Sequence, residues 1–91
     1  MLTLDDFSGS IGKDFEALAG DGAVPLRLAE AQALAHGNRE GGAFRLEFVG
    51  PREPILPQAI YPVQADGREL ELFLVPVASD AGGTRYEAVF N

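Results

Sequence analysis

His36 is the one histidine of this 91-residue sequence and its first candidate for metal binding or acid–base catalysis. An imidazole can ligate a transition metal or act as a general base, but it needs partners at a suitable spacing. The chain has no cysteine, and the nearest acid in sequence, Glu40, does not complete a recognised metal-binding spacing. Gly37 and Asn38, which follow, are typical of a loop. We expect a solvated loop histidine and no metal site.

Two pairs of carboxylates are the next candidates. Glu69 and Glu71 alternate along a predicted strand, which places them on one face about 7 Å apart. That separation is wide for a retaining glycosidase and near the lower limit for an inverting one. A solvated sheet face explains this pair as well. Asp5 and Asp6 fit the first turn of a helix, where carboxylates face the positive end of the helix dipole. Neither pair requires a catalytic role.

The possible nucleophiles and phosphate ligands lack the neighbours that their chemistry needs. Ser8, Ser10 and Ser79 lie outside any Gly-x-Ser-x-Gly elbow. Lys13, the one lysine, follows Gly12 without the glycine spacing of a phosphate-binding loop. We therefore expect no enzymatic activity, no catalytic residues and no cofactor.

Composition restricts the classes of partner that the protein can bind and the cellular compartments that suit it. Fourteen acidic and seven basic residues give a formal charge of −7, so nucleic acid and anionic membrane surfaces would be repelled. The absence of cysteine favours a reducing compartment, and no apolar run approaches the roughly 20 residues of a membrane helix. The acidic N-terminus is unlike a signal peptide. We expect a cytoplasmic protein in which residues 1–91 form one β-rich domain.

Alternation of apolar and polar residues predicts most of the secondary structure. It is strong over residues 44–48, 70–74 and 86–90 and weaker over 14–19 and 60–65. A strand is favoured over residues 24–30. Residues 28–36 are also rich in good helix formers, so strand and helix both remain open there.

Local signals complete the predicted fold. Thr3 with Asp6 resembles a capping box and predicts one short N-terminal helix, while Asp66-Gly67 predicts a hairpin turn. Six short strands and one helix predict a small antiparallel barrel or compact sandwich, and both architectures remain open. Proline lacks a backbone donor, so three prolines are expected at edges, bulges or strand ends: Pro25, Pro62 and Pro76.

The last two predicted strands suggest a register for their hairpin. With Leu74 opposite Tyr86, the apolar residues of both strands share one face and Val75 lies opposite Arg85. Leu70 would then face Phe90. A slip of one residue would place leucines against charged side chains, which the hydrophobic pattern disfavours.

Apolar residues also occur on the face opposite the main leucine row. Phe73, Val75 and Val89 point to that side, and Ile55 and Leu56 lie between two prolines on a stiff loop. Such residues indicate either that both faces are covered or that one face is an interface. The N-terminal helix could cover the strand residues, and the loop residues could plug the core. Otherwise the five residues form an interface for a protein partner or for self-association.

Six segments follow one another in a familiar order: LTLDDF at 2–7, IGKDF at 11–15, FRLEFVGP at 44–51, LPQAIY at 56–61, LFLVPV at 72–77 and YEAVFN at 86–91. Together they resemble a family of small bacterial proteins of unknown function, often encoded near phage-tail-collar-like proteins of the microcystin-dependent type. The resemblance spans nearly the whole chain and implies a structural or assembly role without catalytic residues.

The leading functional hypothesis is a non-enzymatic structural or protein–protein interaction module, an accessory of a phage-tail-like assembly if the resemblance holds. The alternative is a small-ligand-binding β-barrel, which needs a large internal cavity lined by aromatic side chains. An enzyme would need a cleft in which Glu69, Glu71 or His36 converges with another polar group.

Overall fold

Six extended segments and one helical turn make up the protein in a computed structural model, which describes residues 2–20, 22–35, 37 and 42–91. The helix precedes all the strands in the chain. The elements are α1 (Asp5–Ser8), β1 (Asp14–Ala19), β2 (Gly22–Ala33), β3 (Phe44–Gly50), β4 (Ala59–Ala65), β5 (Arg68–Asp80) and β6 (Gly83–Phe90).

The strands close into an antiparallel barrel in the order β1-β2-β3-β6-β5-β4. Alternate side chains of each strand enter one shared core, as in β3, where Phe44, Leu46 and Phe48 are buried. The sequence did not distinguish a barrel from a sandwich, and the structure is a closed barrel. Closure follows from pairing β1 with β4, where Ala17 lies opposite Val63.

Residues 28–33, where helix and strand were both open, continue β2. A β-bulge between Leu28 and Glu30 is followed by pairing of Ala31 with Leu46 and of Ala33 with Phe44. Hydrogen bonding to β3 thus overrides the helix propensity of the alanines. The remaining end of that stretch, His36, lies outside the described residues.

The predicted register of the β5–β6 hairpin is wrong by two residues. Tyr86 lies opposite Pro76 rather than Leu74, and Val75 lies opposite Glu87 rather than Arg85. The predicted pairing of Leu70 with Phe90 fails for the same reason. A shift of two keeps every side chain on its predicted face, so the hydrophobic pattern could not distinguish the registers. A bulge between Pro76 and Ala78 and a short turn after Asp80 set the register instead.

The prediction for the three prolines holds fully for Pro76, which adjoins the bulge in β5. Pro25 and Pro62 lie inside their strands, where they pair with Glu16 and Glu71. On its other side each of these two has no partner: Pro25 precedes the first β2–β3 pair, and Pro62 lies beyond the last β1–β4 pair. Each proline therefore adjoins a gap or a break in one ladder, where a missing N–H is tolerated.

The short N-terminal helix is confirmed, but its capping differs from the prediction. The Thr3 side chain does not accept a bond from the helix. Instead the Thr3 backbone N–H donates to Asp6 Oδ2 at 2.7 Å, and the Asp6 N–H donates to the Thr3 carbonyl at 3.0 Å. Only the returning half of a capping box is formed.

The two ends of the barrel are closed by different side chains. At the helix end, the buried Phe7 of α1 lies 6.0 Å from the Phe44 ring, centroid to centroid. At the opposite end, Leu56 from the loop between β3 and β4 enters the core, and its N–H donates to the buried Tyr86 hydroxyl at 2.9 Å.

Candidate interaction surface

The outer face of β4, β5 and β6 is one continuous surface. Ile60 pairs with Phe73, and Val75 pairs with Glu87, so outward positions of the three strands lie side by side. We call these nine positions the outer face: Ile60, Pro62, Gln64, Glu69, Glu71, Phe73, Val75, Glu87 and Val89.

Three large apolar side chains on the outer face are exposed to solvent. Ile60 is 64 % exposed, Phe73 46 % and Val89 42 %. They line a shallow, open depression, which we call the outer groove. Its other lining residues are Glu71, Ala88, Phe90 and Asn91. Isolated exposed apolar residues are ordinary, but a contiguous group of them is typical of a contact surface.

The structure separates the five interface candidates taken from the sequence. Phe73 and Val89 meet in the outer groove, and Val75 is half-buried on the same outer face. Ile55 is 51 % exposed but does not line the groove. Leu56 is wrong as an interface residue, because it is only 4 % exposed and belongs to the core.

The possibility that the N-terminal helix covers the outer face is also wrong. Phe7, the buried residue of α1, packs at the barrel end against Phe44, and its ring lies 6.3 Å from that of Phe90. Phe73 and Val89 stay exposed beyond it. The helix has one buried side chain, which serves the core rather than the sheet exterior.

Ile60, the most exposed member of the groove, was missed in the sequence. The signal for it was present, because Tyr61 and Val63 alternate with Pro62 and are buried. Ile60 must then point outward by the period of a strand. Its pairing with Phe73, however, depends on the β4–β5 register.

Acidic side chains flank the outer groove along β5. Glu71 lines the groove, and Glu69 lies two residues further along the same face, opposite Gln64. Both glutamates are exposed. None of the described residues that line the groove is a lysine or an arginine. Arg85, the next outward residue of β6 beyond Glu87, is exposed and lies 3.4 Å from Asp80 Oδ2.

A partly buried ion cluster borders the groove on the β3 side, because Arg45 pairs with Val89. Arg45 Nε lies 2.9 Å from Glu87 Oε2, Nη2 lies 3.3 Å from Glu47 Oε1, and Nη1 lies 3.8 Å from Glu30 Oε1. Burial lowers the pKa of Arg45, but hydrogen bonds and charge interactions with Glu87 and Glu47 outweigh it and raise the pKa. One guanidinium thus meets three carboxylates, and the cluster remains negative.

One of the remaining chemical candidates, Glu69, does meet other polar groups. It lies with Asp14, Glu16 and Asp66 around a second open depression, which also contains Arg68. Within the described residues, no group of three or more histidine, cysteine, aspartate or glutamate side chains could hold a metal ion. His36 lies outside the described residues.

Ser8, Ser10 and Lys13 lie close together from the end of the helix onward, where the Lys13 backbone N–H donates to the Ser10 carbonyl at 3.0 Å. Ser8 and Lys13 are exposed and Ser10 is half-buried. Ser79 Oγ lies 3.3 Å from Thr84 Oγ1 at the β5–β6 hairpin.

The barrel interior contains aromatic side chains that contact one another. Phe15 and Phe48 pack edge to face with centroids 5.3 Å apart, and both are almost fully buried. Tyr61 and Tyr86 lie in the same cluster. The outer groove and the depression around Glu69, in contrast, both open to solvent on the outside of the barrel.

Among the helices that the structure describes, none has the length and apolar character to cross a membrane.

Comparisons with known proteins bear on the chain as a whole. The search of curated proteins gave no match, and the search of solved structures gave none. A family model described as a domain of unknown function, DUF6916, matches residues 2–90. Because that match covers nearly the whole length, the chain belongs to the DUF6916 family.

Proposed function

We propose that this domain is a non-enzymatic protein-interaction module that binds its partner through the outer groove. The observation that carries the proposal is the exposure of Ile60, Phe73 and Val89 together on one sheet face. Aromatic and aliphatic anchors of this kind dominate the binding energy of many protein interfaces.

Covering these three side chains would contribute to the free energy of binding. Fully burying a side chain such as Phe, Ile or Val contributes roughly 1.5–3 kcal/mol relative to leaving it exposed. The three groove residues withhold much of that contribution from the folded monomer. A partner that covers them would gain it, less the cost of association.

The barrel also provides a rigid platform for such contacts. Ile60 and Phe73 face each other across paired strands, and Val89 lies on β6, which pairs with β3 on its other side. Side chains held on paired strands lose less conformational freedom on binding than side chains on a loop. The groove is therefore pre-formed.

For the class of partner, we propose a component of a phage-tail-like assembly. Support for this finer step comes from the resemblance of the chain to a family often encoded near tail-collar-like proteins. In that setting the domain would act as a structural accessory, and the partner would be a neighbouring gene product.

The test is site-specific photo-crosslinking in the source cells. We expect Phe73→p-benzoylphenylalanine to capture a discrete protein that Ile11→p-benzoylphenylalanine does not. Ile11 is a suitable control because it is 50 % exposed and does not line the groove. Mass spectrometry of the adduct then identifies the partner.

Matched double variants make the crosslink specific to the groove. Ile60→Ser with Val89→Ser should abolish the adduct, whereas Ile11→Ser with Val77→Ser removes the same two residue types from other exposed positions and should preserve it. Identical adducts from positions 11 and 73, or loss in both double variants, would refute the proposal.

A further inference from the structure

The charges around the outer groove indicate what kind of partner surface fits it. Along β5, Glu69 and Glu71 extend from the groove on the same face as Phe73. On the other side, the Arg45 cluster adjoins Val89 and holds three carboxylates against one guanidinium. Negative charge therefore borders the apolar side chains on two sides.

A second copy of the chain fits these observations less well. It would bring the same glutamates and a further formal charge of −7 against this face, and like charges brought together at an interface are unfavourable. The β5–β6 ladder ends at Val75 with Glu87, so Phe73 and Val89 lie beyond its last pair. A partner segment of complementary charge can therefore contact these side chains between the two strands.

We infer that the partner presents an apolar segment flanked by lysine or arginine residues, which this acidic border recognises. The inference rests on the proposed function, because it assigns a chemistry to the surface that occupies the same groove. The apolar centre contacts Ile60, Phe73 and Val89, and the cations face Glu71 on one side and the Arg45 cluster on the other. Charge complementarity of this kind sets the choice of partner and accelerates association.

Labelled peptides test the inference with defined probes. Three peptides share one centre of leucine, phenylalanine and valine residues and differ only in their flanking residues, which are lysine, glutamate or serine. Fluorescence anisotropy gives the dissociation constant of each peptide for the whole protein. We expect the lysine-flanked peptide to bind most tightly and to weaken steeply as salt is added, because screening reduces charge attraction.

Protein variants separate the apolar and the charged contributions. Ile60→Ser with Val89→Ser should weaken the lysine-flanked peptide by about tenfold or more, since buried anchors carry most of the binding energy. Glu71→Gln should weaken it by about twofold to fivefold, as for a solvent-exposed ion pair. Glu53→Gln removes the same charge from an exposed loop position and should leave binding unchanged.

Each result bears on one step of the inference. Equal affinity for all three peptides, lost in the groove double variant, would overturn the charge assignment and leave the proposed function intact. If the lysine-flanked peptide bound the wild type and the groove double variant equally well, its lysines alone would account for binding, and the inference would be overturned. Failure of every peptide to bind would also contradict it, whereas the crosslink from position 73 decides the proposed function independently.

Discussion

The two faces of β5 both carry large apolar side chains, but one face is buried and the other is exposed to solvent. Leu72 and Leu74 point inward and are fully buried, whereas Phe73 between them points outward and is 46 % exposed. The inward row belongs to the core that all six strands share. Within the part of the chain that the structure describes, Phe73 keeps about half of its surface in contact with solvent. The core is therefore packed without the three exposed apolar side chains of the outer groove, which face solvent.

The loop between β3 and β4 repeats the contrast in two neighbouring residues. Leu56 is 4 % exposed and held by the Tyr86 hydroxyl, while Ile55 is 51 % exposed. Inward residues should therefore control the free energy of unfolding, and outward residues should control binding.

Leu72→Ala should lower the free energy of unfolding by about 2–5 kcal/mol, because it leaves a cavity in the core. Leu72 lies opposite the buried Tyr61, so the cavity would open in the middle of the barrel. Urea unfolding followed by circular dichroism measures the change. A loss below about 1 kcal/mol would mean that the inward row is not the source of stability that its burial indicates.

Gly83→Ala should cost about 2–4 kcal/mol, since overpacking and a strained backbone each contribute. Gly83 has a φ of +124°, and a Cβ there would lie 2.3 Å from the Gly50 carbonyl oxygen. Gly67→Ala is the control, because Gly67 also has a positive φ, +77°, but open space around it. The control should cost only about 1 kcal/mol, from the backbone alone. Equal losses by urea unfolding would contradict the close approach of β6 to β3.

Tyr86→Phe should lower the free energy of unfolding by about 1–3 kcal/mol, because it leaves the buried Leu56 N–H without its acceptor. Hydrogen exchange of the Leu56 amide should accelerate more than that of amides in the middle of β3. Unchanged exchange at Leu56 would show that the loop is held in the core by something other than the tyrosine.

Stability should fall in alkaline solution partly through Tyr61. Burial, followed by the charge interaction with Tyr86, raises the pKa of Tyr61 above its usual value of 10.0. A raised pKa in the folded state favours the protonated form, so this contribution is complete below about pH 10 and is lost as pH rises through the folded pKa. Tyr61→Phe should flatten the fall in unfolding free energy above about pH 10. A slope identical to that of wild type would contradict the effect.

Phe73→Ser should lower the free energy of unfolding by about 1 kcal/mol, because the side chain is 46 % exposed and only its buried part contributes to the fold. The adjacent Leu72→Ala variant is its matched comparison on the other face of β5. A loss above about 2 kcal/mol would show that Phe73 contributes to the fold as much as a core residue, and the contrast between the two faces would disappear.

The sequence predicted the strands well because period-two alternation is a local signal. Phe44, Leu46 and Phe48 alternate with Arg45 and Glu47, so a buried face follows from these residues alone. Features that depend on contacts between distant segments were harder. The β5–β6 register slipped by two because an even shift preserves the pattern, and only the bulge after Pro76 distinguishes the two registers.

The candidate surface was partly predictable for the same reason. Phe73 and Val89 were identified because each lies one residue out of phase with a buried row. Leu56 was grouped with them since no sequence signal showed that its N–H would meet the Tyr86 hydroxyl, 30 residues away. The grouping of Arg45 with glutamates from three strands likewise required the closed pairing of β2, β3 and β6.

Whether the outer groove binds the partner is decided by the affinity of two matched double variants for the protein captured at position 73. Ile60→Ser with Val89→Ser alters the outer groove, and Ile11→Ser with Val77→Ser alters equally exposed residues elsewhere. The dissociation constant should rise by about tenfold or more for the first and stay at the wild-type value for the second. Equal dissociation constants for the two variants would contradict binding at the outer groove.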